Sequence, residues 1–242
     1  MTPYYQDSAV TIYHGDCREI LPHLESVDLV LTDPPYGIKE RTRRASNGRG
    51  KSRTEGFRVV ESRDWPEVYG DDEPFDPSHL LKYPKIILWG ANHYCDKLPG
   101  SPHWLIWDKR EETGSDDNAD CEIAWTNLKG PARLHRQLWR GICKRGEENV
   151  SAGYSIVHPT QKPIALMRWC IAQAKDADLI CDPYFGSGTT LRAAKDLGRK
   201  AIGIDIDEKY CEIAARRMSQ ETLPLIFPKE MRGPSPMDLQ LV

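Results

Sequence analysis

The segment from 178 to 205 is the part of this sequence that most constrains the fold. It reads as a strand, a turn with two glycines, a helix and a second strand that ends at an acidic residue. These parts are Asp178 to Cys181, Asp182 to Thr190, Thr190 to Leu197, Ala201 to Ile204 and Asp205. A strand, a helix and a strand in succession predict two parallel neighbours in one sheet, with the helix packed on a face of the sheet.

The same alternation continues along the chain. Further strands are predicted at 9–13, 27–31, 86–89, 104–107 and 122–125, and helices at 17–25, from Pro163 onward and from the capping residue Asp207 to about Ser219. Residues 128–150 show no clear period. We therefore predict an α/β fold, a doubly wound and mostly parallel sheet that binds ligands at the carboxyl ends of its strands.

The composition fits one globular domain with a small insertion. The chain has 242 residues, 39% hydrophobic and 29% charged, and its net charge of −3 gives no sign of a nucleic-acid partner. Its seven cysteines form no CxxC pair, which predicts reduced thiols and no metal site. No apolar run reaches the length of a membrane span and the N-terminus lacks signal-peptide features, so we expect a cytoplasmic protein.

The turn at 182–190 indicates a nucleoside site. Gly186 and Gly188 leave room for a ligand against the backbone, and Asp205, about 20 residues further on, is placed to hold ribose hydroxyls. The spacing is not G-x-G-x-x-G and no Walker lysine follows, which disfavours dinucleotides and nucleoside triphosphates. A glycine turn of this kind also occurs as a plain strand-to-helix connection.

A second turn, Asp33-Pro34-Pro35-Tyr36, follows the apolar run at 27–31. Its two prolines end the strand and hold the backbone rigid. The Asp33 carboxylate and the Pro34 carbonyl are then a fixed pair of acceptors, suited to the two N–H bonds of an exocyclic amino group. Tyr36 offers an aromatic face for an extruded base. The alternative is a rigid turn that only ends a strand.

Five motifs resemble those of the DNA amino-methyltransferases. They are Tyr13-His14-Gly15-Asp16, Asp33-Pro34-Pro35-Tyr36, His158-Pro159-Thr160-Gln161-Lys162-Pro163, Asp182 to Thr190 and Gly203-Ile204-Asp205-Ile206-Asp207. The third matches the family's H-P-T-Q-K-P element letter for letter. The catalytic turn precedes the cofactor turn, and this order resembles the β group of the family, a class I methyltransferase fold with circularly permuted motifs.

The resemblance implies S-adenosyl-L-methionine as the cofactor. Asp182 would face its methionine end, Asp205 would hold the ribose, and Asp16 would lie near the adenine ring. The other implied cofactor residues are Tyr184, Phe185, Gly186, Gly188 and Thr189, which would shape the pocket, and Thr160 and Lys162, which could reach the methionine carboxylate. Tyr184 replaces the usual phenylalanine, and Asp205 stands where glutamate is more usual. Alternatively, Asp16 only caps a helix and Lys162 is solvated.

The resemblance also implies a substrate, a flipped base in double-stranded DNA, with Asp33, Pro34, Pro35 and Tyr36 as the catalytic residues. Aspartate at position 33 favours N6 of adenine, because N4-cytosine enzymes more often carry serine there. N4 of cytosine, an RNA substrate and a catalytically silent DNA-binding relative are the alternatives.

Two basic segments are the predicted DNA contacts: a long loop at 38–66 and a target-recognition segment at 128–150. The arginines expected on DNA are Arg41, Arg43, Arg44, Arg133, Arg136 and Arg140. Charge runs are also typical of a solvated face. Because the second segment is short, we expect a short or relaxed target sequence, or a homodimer that supplies further contacts.

These predictions divide the chain into four parts. They are a catalytic half at 1–127, the recognition segment at 128–150, a cofactor-binding half at 151–220 and an irregular tail at 221–242.

Overall fold

A computed structural model describes residues 1–38, 68–111, 119–140, 143–144 and 161–220. Its strands are β1 (Tyr5–Gln6), β2 (Val10–His14), β3 (Leu29–Thr32), β4 (Ile86–Trp89), β5 (Trp104–Asp108), β6 (Cys121–Thr126), β7 (Arg133–Arg136), β8 (Trp139–Arg140), β9 (Cys143–Lys144), β10 (Leu179–Asp182) and β11 (Lys200–Asp205). Its α-helices are α1 (Cys17–Ile20), α2 (Ile164–Gln173), α3 (Thr189–Asp196) and α4 (Glu208–Ser219), and short 3₁₀ helices cover Leu21–His23, Ala91–His93 and Cys95–Lys97.

Nine of these strands form one sheet in the order β1-β2-β11-β10-β3-β4-β6-β5-β7. The central strands β2, β11, β10, β3 and β4 are parallel to one another, whereas β1 is antiparallel to β2 and β6 is antiparallel to both β4 and β5. The prediction of a mostly parallel α/β sheet is confirmed. Because β6 is antiparallel to both β4 and β5, the strands β5 and β7 run in the same direction as β4. The carboxyl ends of β5, β7 and the central parallel strands therefore lie on one edge of the sheet.

Both faces of the central sheet are buried, because successive side chains of a strand point to opposite faces. In β3, Leu29 and Leu31 belong to one hydrophobic cluster and Val30 to the other. The first cluster contains the apolar faces of α2, α3 and α4. The second contains α1 and the segment around Phe75 and Tyr94. This two-sided burial explains why the strands read as continuous apolar runs in the sequence.

The predicted elements are present, with ends displaced by a few residues. The helix predicted at 17–25 ends as an α-helix at Ile20 and continues as a 3₁₀ turn that contains Pro22, which has no N–H to donate. Asp207 caps α4 as predicted, and its carboxylate accepts the Lys209 N–H at 2.9 Å. Pro163 precedes α2 as its N-cap residue.

The described residues between 128 and 144 contain three strands, which the lack of a clear sequence period did not predict. The strand β7 pairs with β5 at the edge of the main sheet, so part of the predicted recognition segment belongs to the sheet. Buried and exposed side chains do not alternate along β7, since Arg133, Leu134 and Arg136 are all exposed. The short strands β8 and β9 form a separate antiparallel ribbon. The long loop predicted at 38–66 lies outside the described residues except for Ile38.

Within the described ranges, none of the helices combines the length and the apolar character that crossing a membrane would require.

Gly203 in β11 offers a test of how tightly α3 is packed on the sheet. A Cβ atom at this position would lie 2.6 Å from a Leu191 methyl and 2.7 Å from the Phe185 ring. We expect Gly203→Ala to lower the free energy of unfolding by about 1–3 kcal/mol, because an overfilled core must shift. Urea denaturation measures the change.

Gly100→Ala is the matched control, since an added Cβ at Gly100 meets no atom within 4 Å. It should change stability by less than about 0.5 kcal/mol. Equal effects of the two substitutions would contradict the packing argument.

Candidate active site

A cavity of about 1580 Å³ lies at the carboxyl ends of β3, β10 and β11. The proline turn at 33–36 and the glycine turn at 182–190 both line this cavity, although they are far apart in the chain. The predicted site residues on its wall are Asp16, Asp33, Pro34, Pro35, Tyr36, Lys162, Asp182, Tyr184, Phe185, Gly186, Thr189 and Asp205. The structure therefore brings most of the predicted site into one space.

The Asp33 carboxylate is held from two sides directly after β3. The Tyr36 hydroxyl donates to Oδ1, and the Lys162 ammonium donates to Oδ2. The Lys162 side chain is 7% exposed and that of Asp33 is 21% exposed. Burial raises the pKa of Asp33, while the Lys162 charge opposes that rise. Lys162 thus lies against the Asp33 turn and also lines the cavity, and its contact with a methionine carboxylate stays a prediction.

Asp71 fixes the backbone of the same turn. Its Oδ1 accepts the N–H groups of Tyr36, Gly37 and Ile38 at 3.1, 2.9 and 3.3 Å. Three consecutive N–H groups on one carboxylate oxygen hold the chain in place where it leaves the sheet. Asp71 is not among the predicted site residues, because no local pattern connects it to a turn 35 residues earlier in the chain.

The Tyr36 ring is also fixed. It stacks on the His93 ring with centroids 4.9 Å apart and planes 16° apart. Gly90, with φ of +69°, leaves space for the ring, since a Cβ there would lie 1.9 Å from a Tyr36 carbon. A flat ligand that stacks on Tyr36 must therefore use the opposite face or displace His93.

Lys162 contacts a second acid that the sequence analysis did not single out. Its Nζ lies 3.1 Å from Oε2 of Glu122, and Oε1 of Glu122 lies 2.7 Å from Nζ of Lys109. Burial tends to raise the pKa of Glu122, but Lys162 and Lys109 outweigh it and lower the pKa to about 2. Burial tends to lower the pKa of Lys162, but Asp33 and Glu122 outweigh it and raise the pKa.

The glycine turn is built around Asp205. Its Oδ2 accepts the Gly186 N–H and its Oδ1 accepts the Asp207 N–H, both at 2.9 Å. Burial raises its pKa to about 6. Gly186 and Gly188 have φ of +51° and +73°, which only glycine adopts readily. Gly186 lines the cavity, whereas Gly188 packs against α4, where a Cβ would lie 3.1 Å from that of Ala214.

Asp182 links the two halves of the site. Its Oδ1 accepts the Thr32 hydroxyl at 2.6 Å and the Tyr184 N–H at 3.2 Å. The residue is 3% exposed, and burial raises its pKa to about 6. Both of these donors are neutral, so a buried negative charge lies on the cavity wall beside the catalytic turn.

Tyr184, which departs from the family pattern, has a partner for its hydroxyl. The hydroxyl lies 3.0 Å from Nε2 of His79, and the Phe75 ring packs edge-on against the Tyr184 ring at 5.7 Å. Both partners come from the segment before β4, which carries no motif. The extra hydroxyl therefore costs little, because its hydrogen bond is satisfied.

Asp16 caps a helix and also lies on the cavity wall, while its expected place near an adenine ring stays a prediction. Its carboxylate accepts the Arg18 N–H at 2.8 Å as the cap of α1, and it lines the cavity. The neighbouring Gly15 N–H donates to the Asp205 carbonyl at 2.9 Å, which joins β2 and β11 at this edge. Thr189 lies at the start of α3, where its hydroxyl is 2.9 Å from that of Ser187.

The predicted DNA-contacting arginines are placed only in part. Arg133 and Arg136 are exposed on β7, and Arg136 lies 3.6 Å from Asp108 with 66% of its side chain exposed. Arg140 is placed by its backbone in β8. Arg41, Arg43, Arg44 and the predicted cofactor residue Thr160 lie outside the described residues.

Comparisons with known proteins agree with this architecture. A family model for N6 and N4 methyltransferases, described as DNA methylase, matches residues 101–216. The chain is 27% identical to the Type II methyltransferase M2.LlaDCHI of Lactococcus lactis subsp. cremoris, over 90% of this chain and 92% of the relative. It is 28% identical to the Type II methyltransferase M2.DpnII of Streptococcus pneumoniae, over 90% of this chain and 93% of the relative.

Among solved structures, the PvuII DNA methyltransferase, described as cytosine-N4-specific, is similar in fold. The TM-score is 0.57 at 18% identity, over 91% of this chain and 90% of that one.

Asp182 offers a test of the buried charge. Its pKa of about 6, against an ordinary 3.8, means that the folded chain binds a proton between these pH values that the unfolded chain does not. The stability that this residue contributes therefore falls as pH rises through that window. We expect Asp182→Asn to raise the free energy of unfolding at pH 7.5 by up to about 3 kcal/mol, since an amide oxygen can keep both Oδ1 bonds.

Thermal denaturation without ligand checks this, at about 2–4 °C of Tm per kcal/mol. The gain should largely disappear by about pH 4, where the native aspartate is already protonated in the fold. A gain of the same size at both pH values would contradict the electrostatic explanation.

Proposed function

We propose that this chain, which matches a DNA methylase family model over residues 101–216 and resembles Type II methyltransferases over 90% of its length, methylates N6 of adenine in double-stranded DNA. The methyl donor is S-adenosylmethionine. The observation that carries the proposal is the single cavity lined by the Asp33 turn and by the glycine turn with Asp205. An amino group held by the Asp33 turn and a methyl donor held by the glycine turn would be neighbours in such a cavity.

The cofactor half of the cavity fits S-adenosylmethionine. Each Asp205 oxygen holds one N–H and keeps a lone pair for a ribose hydroxyl. The buried Asp182 carboxylate accepts hydrogen bonds from neutral donors, so the ammonium of the methionine part is a fitting counter-charge. The volume of 1580 Å³ exceeds the range of about 300–1,000 Å³ that is common for one small ligand, which leaves room for a flipped nucleotide.

S-adenosylmethionine supplies a methyl group on a sulfonium, which makes that carbon electrophilic. Asp33 and the Pro34 carbonyl accept the two N–H bonds of the target amino group and turn its lone pair out of conjugation with the ring. Asp33 then takes the proton that the methylated nitrogen must lose, and passes it to water. Tyr36 stacks on the flipped base and holds Oδ1 of Asp33 in place.

The choice of adenine rests on Asp33, as the family tendency favours aspartate in N6-adenine enzymes. The acceptor pair would also suit N4 of cytosine, so that base is the principal alternative outcome. A DNA-binding relative without activity is disfavoured by the intact Asp33, Tyr36 and glycine turn.

Arg133 and Arg136 support a DNA surface at the outer strand of the sheet. Arg136 ends β7 on the same sheet edge as the end of β3, and 66% of its side chain is exposed beside Asp108. Arg133 is exposed at the start of the strand, so both arginines can meet phosphates or guanine edges. The target sequence and a homodimeric arrangement stay predictions. Modification-sensitive sequencing of DNA exposed to the enzyme and S-adenosylmethionine would identify the target, and size-exclusion chromatography with light scattering would measure the assembly.

The central test is transfer of a labelled methyl group from S-adenosylmethionine to duplex DNA, followed by mass spectrometry of the digested nucleosides. We expect N6-methyladenine. N4-methylcytosine would overturn the choice of base and leave the reaction class intact. Retained duplex binding with no transfer would support the silent relative.

Asp33→Ala should reduce methyl transfer at least about 10³-fold, because the acceptor for the amino group is lost, while S-adenosylmethionine still binds through the glycine turn and Asp205. Calorimetric titration with the cofactor measures binding separately. Substantial activity in this variant would refute the role assigned to Asp33.

A second expectation concerns Asp71, which holds the turn by three N–H groups on Oδ1. Asp71→Ala should slow single-turnover transfer roughly 10–100-fold, because a loosened turn misplaces Asp33 and Tyr36. Asp71→Asn keeps an oxygen acceptor and should retain most of the rate. If both variants had the same rate, the hydrogen bonds to the turn would not be the cause.

A further inference from the structure

Four charged side chains form a continuous row along the carboxyl edge of the sheet. Lys109, which follows β5, contacts Glu122 in β6, and Glu122 faces the Lys162 ammonium, which contacts Asp33 after β3. The row runs from the outer antiparallel strands to the catalytic turn. Its two acids and two lysines balance in charge.

The position of Lys162 raises a chemical problem for the proposed reaction. An ammonium on Oδ2 of Asp33 keeps that carboxylate ionised, but it takes one lone pair of that oxygen and draws negative charge away from the other, to which the target N–H would donate. A lysine committed to Asp33 alone would therefore weaken Asp33 as an acceptor for the substrate. The Trp89 ring, 5.7 Å from Nζ, lies beside the ammonium and offers no acceptor oxygen.

Glu122 provides the alternative acceptor. Its Oε2 lies 3.1 Å from Nζ of Lys162. In the part of the chain that the structure describes, this buried oxygen has no aligned hydrogen bond. Lys109 holds the other oxygen of Glu122 at 2.7 Å, which fixes the carboxylate. A small rotation of the ammonium would complete a bond to Glu122 as the bond to Asp33 is given up.

We propose that Glu122 is a positioning residue that shares the Lys162 ammonium with Asp33, so that Asp33 stays ionised and yet can accept the N–H of the target base. This inference rests on the proposed function. Glu122 acts through Lys162 and need not touch the substrate. Lys109 supports Glu122 from the side away from the catalytic turn.

Other titratable groups also face this row and enter its pH dependence. Tyr36, Tyr94 and Asp182 lie near Asp33. The Cys170 thiol lies near Lys162. Tyr36 and Cys121 lie near Glu122. Burial raises the pKa of each of these thiols and tyrosines, so they are neutral at neutral pH. Asp182 is present in all the variants below, so its influence on the Asp33 titration is the same in each and does not alter their comparison.

The test is a titration of the Asp33 carboxyl by NMR in enzyme labelled with ¹³C at the aspartate carboxyls. The signal is assigned by its loss in Asp33→Asn. We expect Glu122→Gln to lower the pKa of Asp33 by about one pH unit, because Lys162 then pairs with Asp33 alone. Lys162→Gln should raise it by a similar amount. In the Lys162→Gln background, the effect of Glu122→Gln should be much smaller.

Kinetics supply a second measurement. Glu122→Gln should slow single-turnover methyl transfer at least about tenfold at pH 7.5, with unchanged affinity for S-adenosylmethionine, because a lysine paired with Asp33 alone weakens the acceptor for the amino group. The acid limb of its pH profile should move to lower pH, whereas that of Lys162→Gln should move to higher pH.

Two control variants distinguish this role from a general effect of substitution. Glu122→Asp keeps the charge and should titrate like the wild type. Glu212→Gln removes an exposed carboxylate that pairs with Arg216 on α4, and should change neither measurement.

An Asp33 pKa that is unchanged in Glu122→Gln, or that moves in the same direction as in Lys162→Gln, would overturn the inference. The carboxyl titration needs no turnover. A wild type that transfers no methyl group would therefore refute the proposed function, while the titration would still decide the role of Glu122.

Discussion

The site depends on the parallel pairing of β3 with β10. In this register, Leu29 lies opposite Ile180 and Val30 opposite Cys181, so the two strands end side by side. The Thr32 hydroxyl then reaches the Asp182 carboxylate at 2.6 Å. This bond joins the catalytic turn to the cofactor turn across 150 residues of chain. A register shift of one residue would turn the Thr32 side chain to the other face and separate the two turns.

Near the bond between Thr32 and Asp182, burial disfavours the charged form of several carboxylates. Asp182 and Asp205 both have pKa values raised to about 6 by burial. Neutral hydroxyl and N–H donors hold them, which satisfies hydrogen bonding but leaves negative charge facing the cavity. Such an arrangement weakens the fold at neutral pH, and carboxylates with perturbed pKa values are common in functional sites. Asp33 differs, because a buried lysine compensates it directly.

Much of this architecture could be predicted from local patterns. The strands β3, β4 and β10 are buried on both faces and therefore read as short apolar runs, and prolines and glycines mark where they end. The edge strand β7 was missed because it does not alternate, and its arginines resemble those of a loop. Asp71, His79 and Glu122 were missed for a different reason. Each acts on a partner more than 30 residues away, and none carries a motif.

The sequence by itself determined the α/β class, the position of the two turns and the residue types that meet at them. These follow from interactions within short segments, such as the rigidity of Pro34 and Pro35 and the left-handed backbone of Gly186. Only the tertiary structure decided that Lys162 lies on Asp33 and between two acids, and that Gly188 serves packing against α4. The physical reason is that ion pairs and close packing depend on distances in space, which strand order and register set and which spacing along the chain does not record.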